Sequence, residues 1–384
     1  MASGAGAVTP FRIDVPDELL QDLTERLARA RWPEPMPRGG IEDVERLRRI
    51  GRLLSTWRDD FDWRSVERSL NRHPQLRVTV DGVGLHVVHA RGSGADPMPL
   101  LLVNGWPSTF AEYVDALPLL TDPGSHGADP SDAFDVVIAT RPGYGFSDPA
   151  YDRLPDERAD AALLGGLMET LGYRRFVAHG DDFGGTLLSV LALEAPDRVT
   201  ALHVAEWLES PSRESLTLPE REYLDALGAW RRDERGYGHV QANRPETLAL
   251  ALDDTPLGLL AWITDKLISW SPAAPEEALD RLILTTTAIY WFTHSIGTSM
   301  RPYAVGHVRL GPGERVEVPT GAVAPLEARP APPREWLERT YADLRSYEPL
   351  PRGGHFWAAE DPPAFASRLR EFFRPFRTGS RPLA

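Results

Sequence analysis

The chain has 384 residues, 42% hydrophobic and 26% charged, with a formal net charge of −14 and no cysteine. That length and apolar content suit one large α/β domain with an insertion, or two domains. The acidic balance argues against nucleic acid or an anionic membrane surface as a main partner, and without cysteine there are no disulfides, thiolate catalysis or Cys-ligated metals.

The first ten residues, Met1 to Pro10, lack the basic start and apolar middle of a signal peptide. No run approaches the roughly 18 apolar residues that a membrane span needs; the strongest, Leu257 to Ile268, is broken by Asp265 and Lys266. A cytoplasmic location is expected. Lys266 is the only lysine, which suggests a GC-rich bacterial genome and makes Schiff-base chemistry a poor candidate.

After a Gly/Ala-rich tail, Asp17 to Ala30 places Leu19, Leu20, Leu23 and Leu27 on one helical face. Further helical patterns run from Glu42 to Trp57 and from Trp63 to Asn71, so residues 1–72 are expected as an N-terminal helical segment. Leu76–Val80 and Leu85–His89 flank Asp81-Gly82, a hairpin signal. Buried-strand runs follow at Pro99–Val103 and Phe134–Ala139, then a helix at Ala161–Leu171, a strand at Arg175–Ala178, a helix at Thr186–Ala192 and a strand at Val199–Val204. This alternation predicts a mostly parallel sheet over 73–207, with ligands at the carboxyl ends of its strands. From 208 to 300 strand signals stop, and helical patterns carry Trp230, Trp262, Trp270, Tyr290 and Trp291. That stretch reads as a helical lid inserted into the sheet domain, which resumes over 301–384. Arg315–Pro319 and Ser346–Leu350 are expected as its last strands, Ala328–Arg334 as a loop, Pro362–Phe373 as a closing helix and Arg377–Ala384 as a frayed tail.

The chemistry gathers around His179-Gly180-Asp181-Asp182-Phe183-Gly184. Gly180 and Gly184 sit two residues either side of Asp182, as a side chain held on a sharp strand-to-helix turn requires; Asp181 has His179 and Phe183 at those offsets. The stretch looks like the nucleophile elbow of an α/β-hydrolase with Asp in place of Ser, against the alternative of an ordinary helix-capping Asp. His355, after Gly353-Gly354 and the last strand, is the candidate base. Glu327, after the penultimate strand, is the acid that would orient it, with Glu335 as the rival. The backbone amides of Phe183 and Trp106 would supply an oxyanion site.

Asn104-Gly105-Trp106-Pro107, Arg141–Ser147, Gly180–Gly184, Tyr290–Thr293, Ser299–Tyr303, Val318–Gly321 and Arg352–Phe356 together resemble, in order, the microsomal-type epoxide hydrolases. Pro10–Ile13 and Arg31-Trp32-Pro33 are similar to that family's N-terminal domain, which wraps along the lid, and the likeness runs from about residue 10 to 376. The resemblance implies an α/β-hydrolase fold and cofactor- and metal-free opening of a small hydrophobic epoxide to a vicinal diol through an Asp182 ester. It also implies two lid tyrosines that protonate the epoxide oxygen, which fall on Tyr237 and Tyr303; Tyr290 is a rival on an apolar helical face. Family members often form dimers, so the resemblance allows a homodimer although no interface is marked in the sequence, and some bacterial relatives act in natural-product pathways. A Trp-rich lid suggests a bulky apolar epoxide.

Three positions depart from the family pattern. Asn104 stands where His is usual, Phe183 where Trp is common, and Asp181 adds a carboxylate beside Asp182 that the turn should direct away. A haloalkane dehalogenase and a silent ligand-binding relative are the alternatives. No Gly-x-Ser-x-Gly marks a serine esterase, His86 and His89 alternate on one strand, and Gly143-Tyr144-Gly145 lacks a third glycine for a dinucleotide turn.

Overall fold

The computed structural model describes residues 6–33, 41–149, 156–209, 213–306, 308, 310–311, 313–327 and 329–377. Nine strands form one sheet among them: Val8–Phe11 (β1), Gln75–Val80 (β2), Val83–Ala90 (β3), Met98–Val103 (β4), Phe134–Ala139 (β5), Phe176–Gly180 (β6), Val199–Val204 (β7), Thr320–Ala324 (β8) and Leu344–Pro349 (β9). Their order is β1-β2-β3-β5-β4-β6-β7-β8-β9. The pairs from β1 to β3 and β3 with β5 are antiparallel, and those from β5 through β4 to β9 are parallel. The central strands are buried on both faces, which is why they read as unbroken apolar runs. Leu100 and Leu102 of β4 join the apolar cluster on one face, Leu101 and Val103 that on the other.

Three expectations shift. The supposed N-terminal tail contributes β1, an edge strand in register Val8↔Val78 to Phe11↔Gln75; Pro10 is tolerated because an edge strand has one side free of pairing. The strand expected at Arg315–Pro319 lies instead at Thr320–Ala324, and Val316 keeps only an isolated bridge to Tyr341. The alternation Val316-Glu317-Val318 mimics a half-buried strand, whereas the true strand is short, small-residued and buried throughout. At Gly321 a Cβ would lie 2.7 Å from the Phe372 ring. The helix Ile296–Val305 also passes the expected lid end at 300, carrying Tyr303 with it. Of the expected tail, 378–384 lies outside the described residues, as does Ala328 of the expected loop.

Among the described residues six helices form the insertion between β7 and β8: Leu218–Glu234, Gly236–Asn243, Pro245–Asp254, Pro256–Trp270, Glu276–Thr293 and Ile296–Val305. The N-terminal helices Asp17–Ala28, Ile41–Asp59 and Trp63–Leu70 lie against them. Arg46 pairs with Asp265 and Arg49 with Asp280, each at 2.7 Å, and Arg52 with Glu276 at 2.8 Å. Partly exposed pairs of this kind add little stability each; the apolar contact counts for more. Trp63 is buried with its ring 4.8 Å from that of Phe292. Among the described residues no helix is long and apolar enough to cross a membrane.

Trp63→Ala should therefore destabilise the protein by about 3–5 kcal/mol. In limited proteolysis of the variant, cleavage should appear first within the inserted helices rather than in the sheet.

Candidate active site

The turn between β6 and the helix Phe183–Glu194 fixes everything in the site. Asp182 sits at φ 48°, ψ −128°, a conformation that a residue with a Cβ holds only when its surroundings enforce it. The neighbours enforce it by leaving no room. A Cβ at Gly180 would lie 2.4 Å from the Gly184 carbonyl carbon, and one at Gly184 would lie 1.9 Å from the Val103 oxygen. Only glycine fits at either place, so the two glycines flanking Asp182 mark a real contact.

The two adjacent aspartates point in opposite directions. Asp181 turns into the core, where it accepts hydrogen bonds from the Tyr113 hydroxyl at 2.6 Å and the Trp357 indole at 2.8 Å, with His179 Nε2 at 3.2 Å. Burial would raise its pKa, but His179 and these donors outweigh burial and hold it below the usual carboxylate range. The nearby Glu112 is pushed well up by burial and by the Asp181 charge. Asp182 turns into a cavity of about 600 Å³. Its Oδ1 accepts the Trp106 amide at 2.9 Å, and the Phe183 amide also bonds the carboxylate. Burial works against the ionised form, yet His355 and the two amides keep its pKa low.

Asn104 bonds the Trp106 loop from within: its Nδ2 donates to the Gly105 carbonyl at 2.9 Å, so the shorter amide arm does serve as a brace. Phe183 packs its ring edge-on to Tyr303 at 4.9 Å, with the Arg141 guanidinium 5.5 Å from it.

His355 follows β9 and is fastened by its amide, which donates to the Trp270 carbonyl at 2.8 Å. Its Nδ1 lies 3.0 Å from Glu327 Oε2, and its Nε2 lies 3.6 Å from Asp182 Oδ2, too long for a hydrogen bond but close for a charge. Burial lowers the imidazole pKa, but Glu327 and Asp182 together drive it well above its ordinary value. Glu335 stands elsewhere, reached by the Thr217 hydroxyl at 3.3 Å. Sequence reasoning missed Glu360, which accepts from the amides of Gly354 and Phe356 and from the Ser271 hydroxyl, tying the His355 loop down. It missed Tyr113 and Trp357 as well. No local pattern marks a hydrogen bond between residues 68 or 176 positions apart.

Across the cavity stand Tyr237, on Gly236–Asn243, and Tyr303, on Ile296–Val305. Tyr237 stacks on Trp106 at 5.5 Å and 7°, and Tyr303 meets the same indole edge-on at 5.8 Å. Burial raises both phenol pKa values, and the Asp182 charge adds to it, so both stay protonated. Tyr290 is core: it is fully buried, its hydroxyl donating to the Ser108 carbonyl at 3.3 Å. Trp230 and Trp270 of the lid line the cavity together with Trp207, and guanidinium and carboxylate groups line it too. Among the described residues no group of three or more His, Asp or Glu could hold a metal ion. His86 bonds Gln75 and Thr140, and His89 bonds Tyr173.

A carboxylate held by two amides, an imidazole–carboxylate pair beside it and two protonated phenols opposite can combine nucleophilic, basic and acidic groups within one cavity. Residues 98–243 match the family profile described as "alpha/beta hydrolase fold", and residues 8–113 match that described as "Epoxide hydrolase N terminus". The protein is thus an α/β-hydrolase with that N-terminal extension. A Stigmatella aurantiaca (strain DW4/3-1) protein, provisionally named an epoxide hydrolase, is 37% identical over 96% of this chain and 86% of its own. "Epoxide hydrolase 1" of Oryctolagus cuniculus is 33% identical over 95% of this chain and 88% of its own. The chain belongs to the epoxide hydrolase family. The solved Aspergillus niger epoxide hydrolase superposes with a TM-score of 0.84 at 26% identity, covering 97% of this chain and 98% of that one. The juvenile hormone epoxide hydrolase of the silkworm Bombyx mori gives 0.81 at 26% identity, covering 99% and 96%.

Asp181→Ala should leave the buried Trp357 indole without an acceptor and the Tyr113 hydroxyl with only the Val103 carbonyl at 3.1 Å, the orphaned donor costing about 1–3 kcal/mol. The variant should therefore show a lower denaturation midpoint, while turnover per folded molecule stays within the same order of magnitude as the parent.

Proposed function

We propose that the protein hydrolyses an epoxide to a vicinal diol in two steps, through an ester on Asp182. The observation that carries this reading is the division of labour between the two Asp182 oxygens. Oδ1 is held by the Trp106 amide, and Oδ2 faces His355. The oxygen free of the amide is the one that attacks. A bond forms between Oδ2 and an epoxide carbon as that carbon's bond to the ring oxygen breaks. Tyr237 and Tyr303 hydrogen-bond that oxygen, and one of them gives it a proton. Oδ1 then becomes the ester carbonyl, already seated where the Trp106 and Phe183 amides stabilise the charge of the next step.

Esterification removes the negative charge of Asp182. Part of what raises the His355 pKa disappears with it, so the imidazole loses affinity for its proton as it is needed as a base. His355, oriented by Glu327, takes a proton from water, and the hydroxide adds to the ester carbon. The tetrahedral species collapses as the departing Oδ2 takes that proton from His355 to complete the diol, and the water oxygen stays on Asp182, whose remaining acid proton replaces the one that the tyrosine gave. Two tyrosines that donate to a developing alkoxide favour an epoxide over a haloalkane, whose leaving halide takes up no proton.

Each donor to a developing oxyanion is worth about 2.7–4 kcal/mol. Tyr237→Phe or Tyr303→Phe alone should slow ester formation by roughly 10²–10³, and the double variant should nearly abolish it in rapid-mixing measurements. A double variant opening styrene oxide at the parent rate would remove both from the mechanism.

The ester itself is tested by single turnover with excess enzyme in heavy-oxygen water. The first diol should carry ordinary oxygen at its new hydroxyl, with the heavy atom left on Asp182. His355→Gln should stall the second step, so that an adduct of substrate mass accumulates on the peptide bearing Asp182. Heavy oxygen in the first-turnover diol and no adduct in the variant would leave Asp182 only as a base or orienting charge.

A further inference from the structure

The cavity walls are not what a purely apolar substrate calls for. Beyond the floor of Asp182, Glu327 and His355, the charged groups lining them are Arg213, Arg231, Arg235, Arg329, Glu206 and Glu209. Four guanidiniums against two carboxylates leave an excess of two positive charges, in a chain whose net charge is −14. The pairing is uneven. Both Nη atoms of Arg329 reach Glu206, one of them at 2.8 Å, and the pair is largely buried. Arg213 and Arg231 share Glu209. Arg235 ends the helix Leu218–Glu234 and lines the same cavity, half-buried and without a carboxylate partner among the described residues.

A half-buried guanidinium without a counter-ion is a ready site for an anion, since it is weakly hydrated and offers a fork of donors. The floor repels an anion through Asp182 and the wall attracts one, so the cavity field orients an elongated molecule. Trp207, Trp230 and Trp270 line the same cavity and offer apolar and aromatic surface to a spacer.

We propose that Arg235, with the surrounding arginines, forms a carboxylate-binding subsite, and that the substrate is an epoxide carrying a carboxylate at the far end of an apolar spacer. This rests on the reading of Asp182 as the group that opens the epoxide. The carboxylate engages Arg235 while the ring lies between Asp182 and the two tyrosines. The effect belongs mainly to binding, and hence to KM, because the anion is held in both the ground and the transition state.

The test uses terminal epoxides of the series from epoxyhexanoate to epoxyundecanoate, each beside its methyl ester. At low ionic strength at least one spacer length should give a kcat/KM for the carboxylate about tenfold or more above that of its ester, arising in KM. Roughly 0.5 M salt should erode that preference, since partly exposed charges are screened. Arg235→Gln should lower the carboxylate-to-ester ratio by about tenfold or more, and Arg235→Lys should restore part of it. Esters preferred at every length, or a ratio that Arg235→Gln leaves unmoved, would overturn the subsite. Asp182→Ala and a calorimetric titration with undecanoate, which has no epoxide, separate the two ideas. If Asp182→Ala still opens the esters, or the parent opens no epoxide, the reading of Asp182 falls. The subsite then stands on undecanoate binding that Arg235→Gln weakens, and falls if the parent does not bind it or the variant binds it equally.

Discussion

The site depends on one backbone constraint: Asp182 is held with a positive φ where β6 turns into its helix. Such a conformation costs on the order of 1–3 kcal/mol, and the fold sustains it by packing rather than by any local preference of aspartate. The Gly184 backbone sits against the Val103 carbonyl, and Asp181 is roped into the core by Tyr113, Trp357 and His179. These restraints come from β4, from the segment after it and from the end of the chain. The whole sheet is in effect a jig for one peptide unit, and the amides of Trp106 and Phe183 meet the carboxylate because that unit cannot relax.

The same turn solves an electrostatic problem. Two consecutive carboxylates sharing one environment would leave one of them protonated. Opposite directions give each its own compensating donors, so both pKa values lie below the ordinary range. The carboxyl shifted the other way in this region is Glu112, whose burial and proximity to Asp181 raise its pKa. Charge is thus sorted by depth. An anion anchored in the core stands behind the turn, and another stands at the cavity floor facing an imidazole. The protonated phenols lie across from it.

Much of this was legible in the residues. The buried runs of β4, β5, β6 and β7 announced a parallel sheet because strands covered on both faces need little alternation. Gly180 and Gly184 announced the turn because steric exclusion leaves a compositional trace. His355 and Glu327 followed from their places after the last two strands, and the structure brings them within 3.0 Å. Tyr237 and Tyr303 came from family likeness, while the apolar helical face around Tyr290 already marked that tyrosine as core. What stayed hidden depends on distant partners. β1 has too few apolar residues to read as a strand and exists because β2 offers it an edge. β8 is disguised by the alternating Val316-Glu317-Val318 just before it. Glu360 and Trp357, just before the closing helix, carry no local sign that one ties down the His355 loop and the other anchors Asp181. The charged wall was hidden for the same reason, Arg213, Arg231 and Arg235 coming from the insertion and Arg329 from beyond β8.

The packing of the first three helices on the insertion has a consequence for the order in which the chain can become compact. Their partners include Asp265, Asp280 and Phe292, which leave the ribosome some 200 residues later. At about 5–20 residues per second, the early helices wait roughly 10–40 s with their apolar faces uncovered. The three helices are made before the insertion that they pack on and find their place only after it. Their strongly charged sequences, rich in Arg, Asp and Glu, are suited to that interval, because they keep a nascent amphipathic segment dispersed until the surface that it closes over has formed.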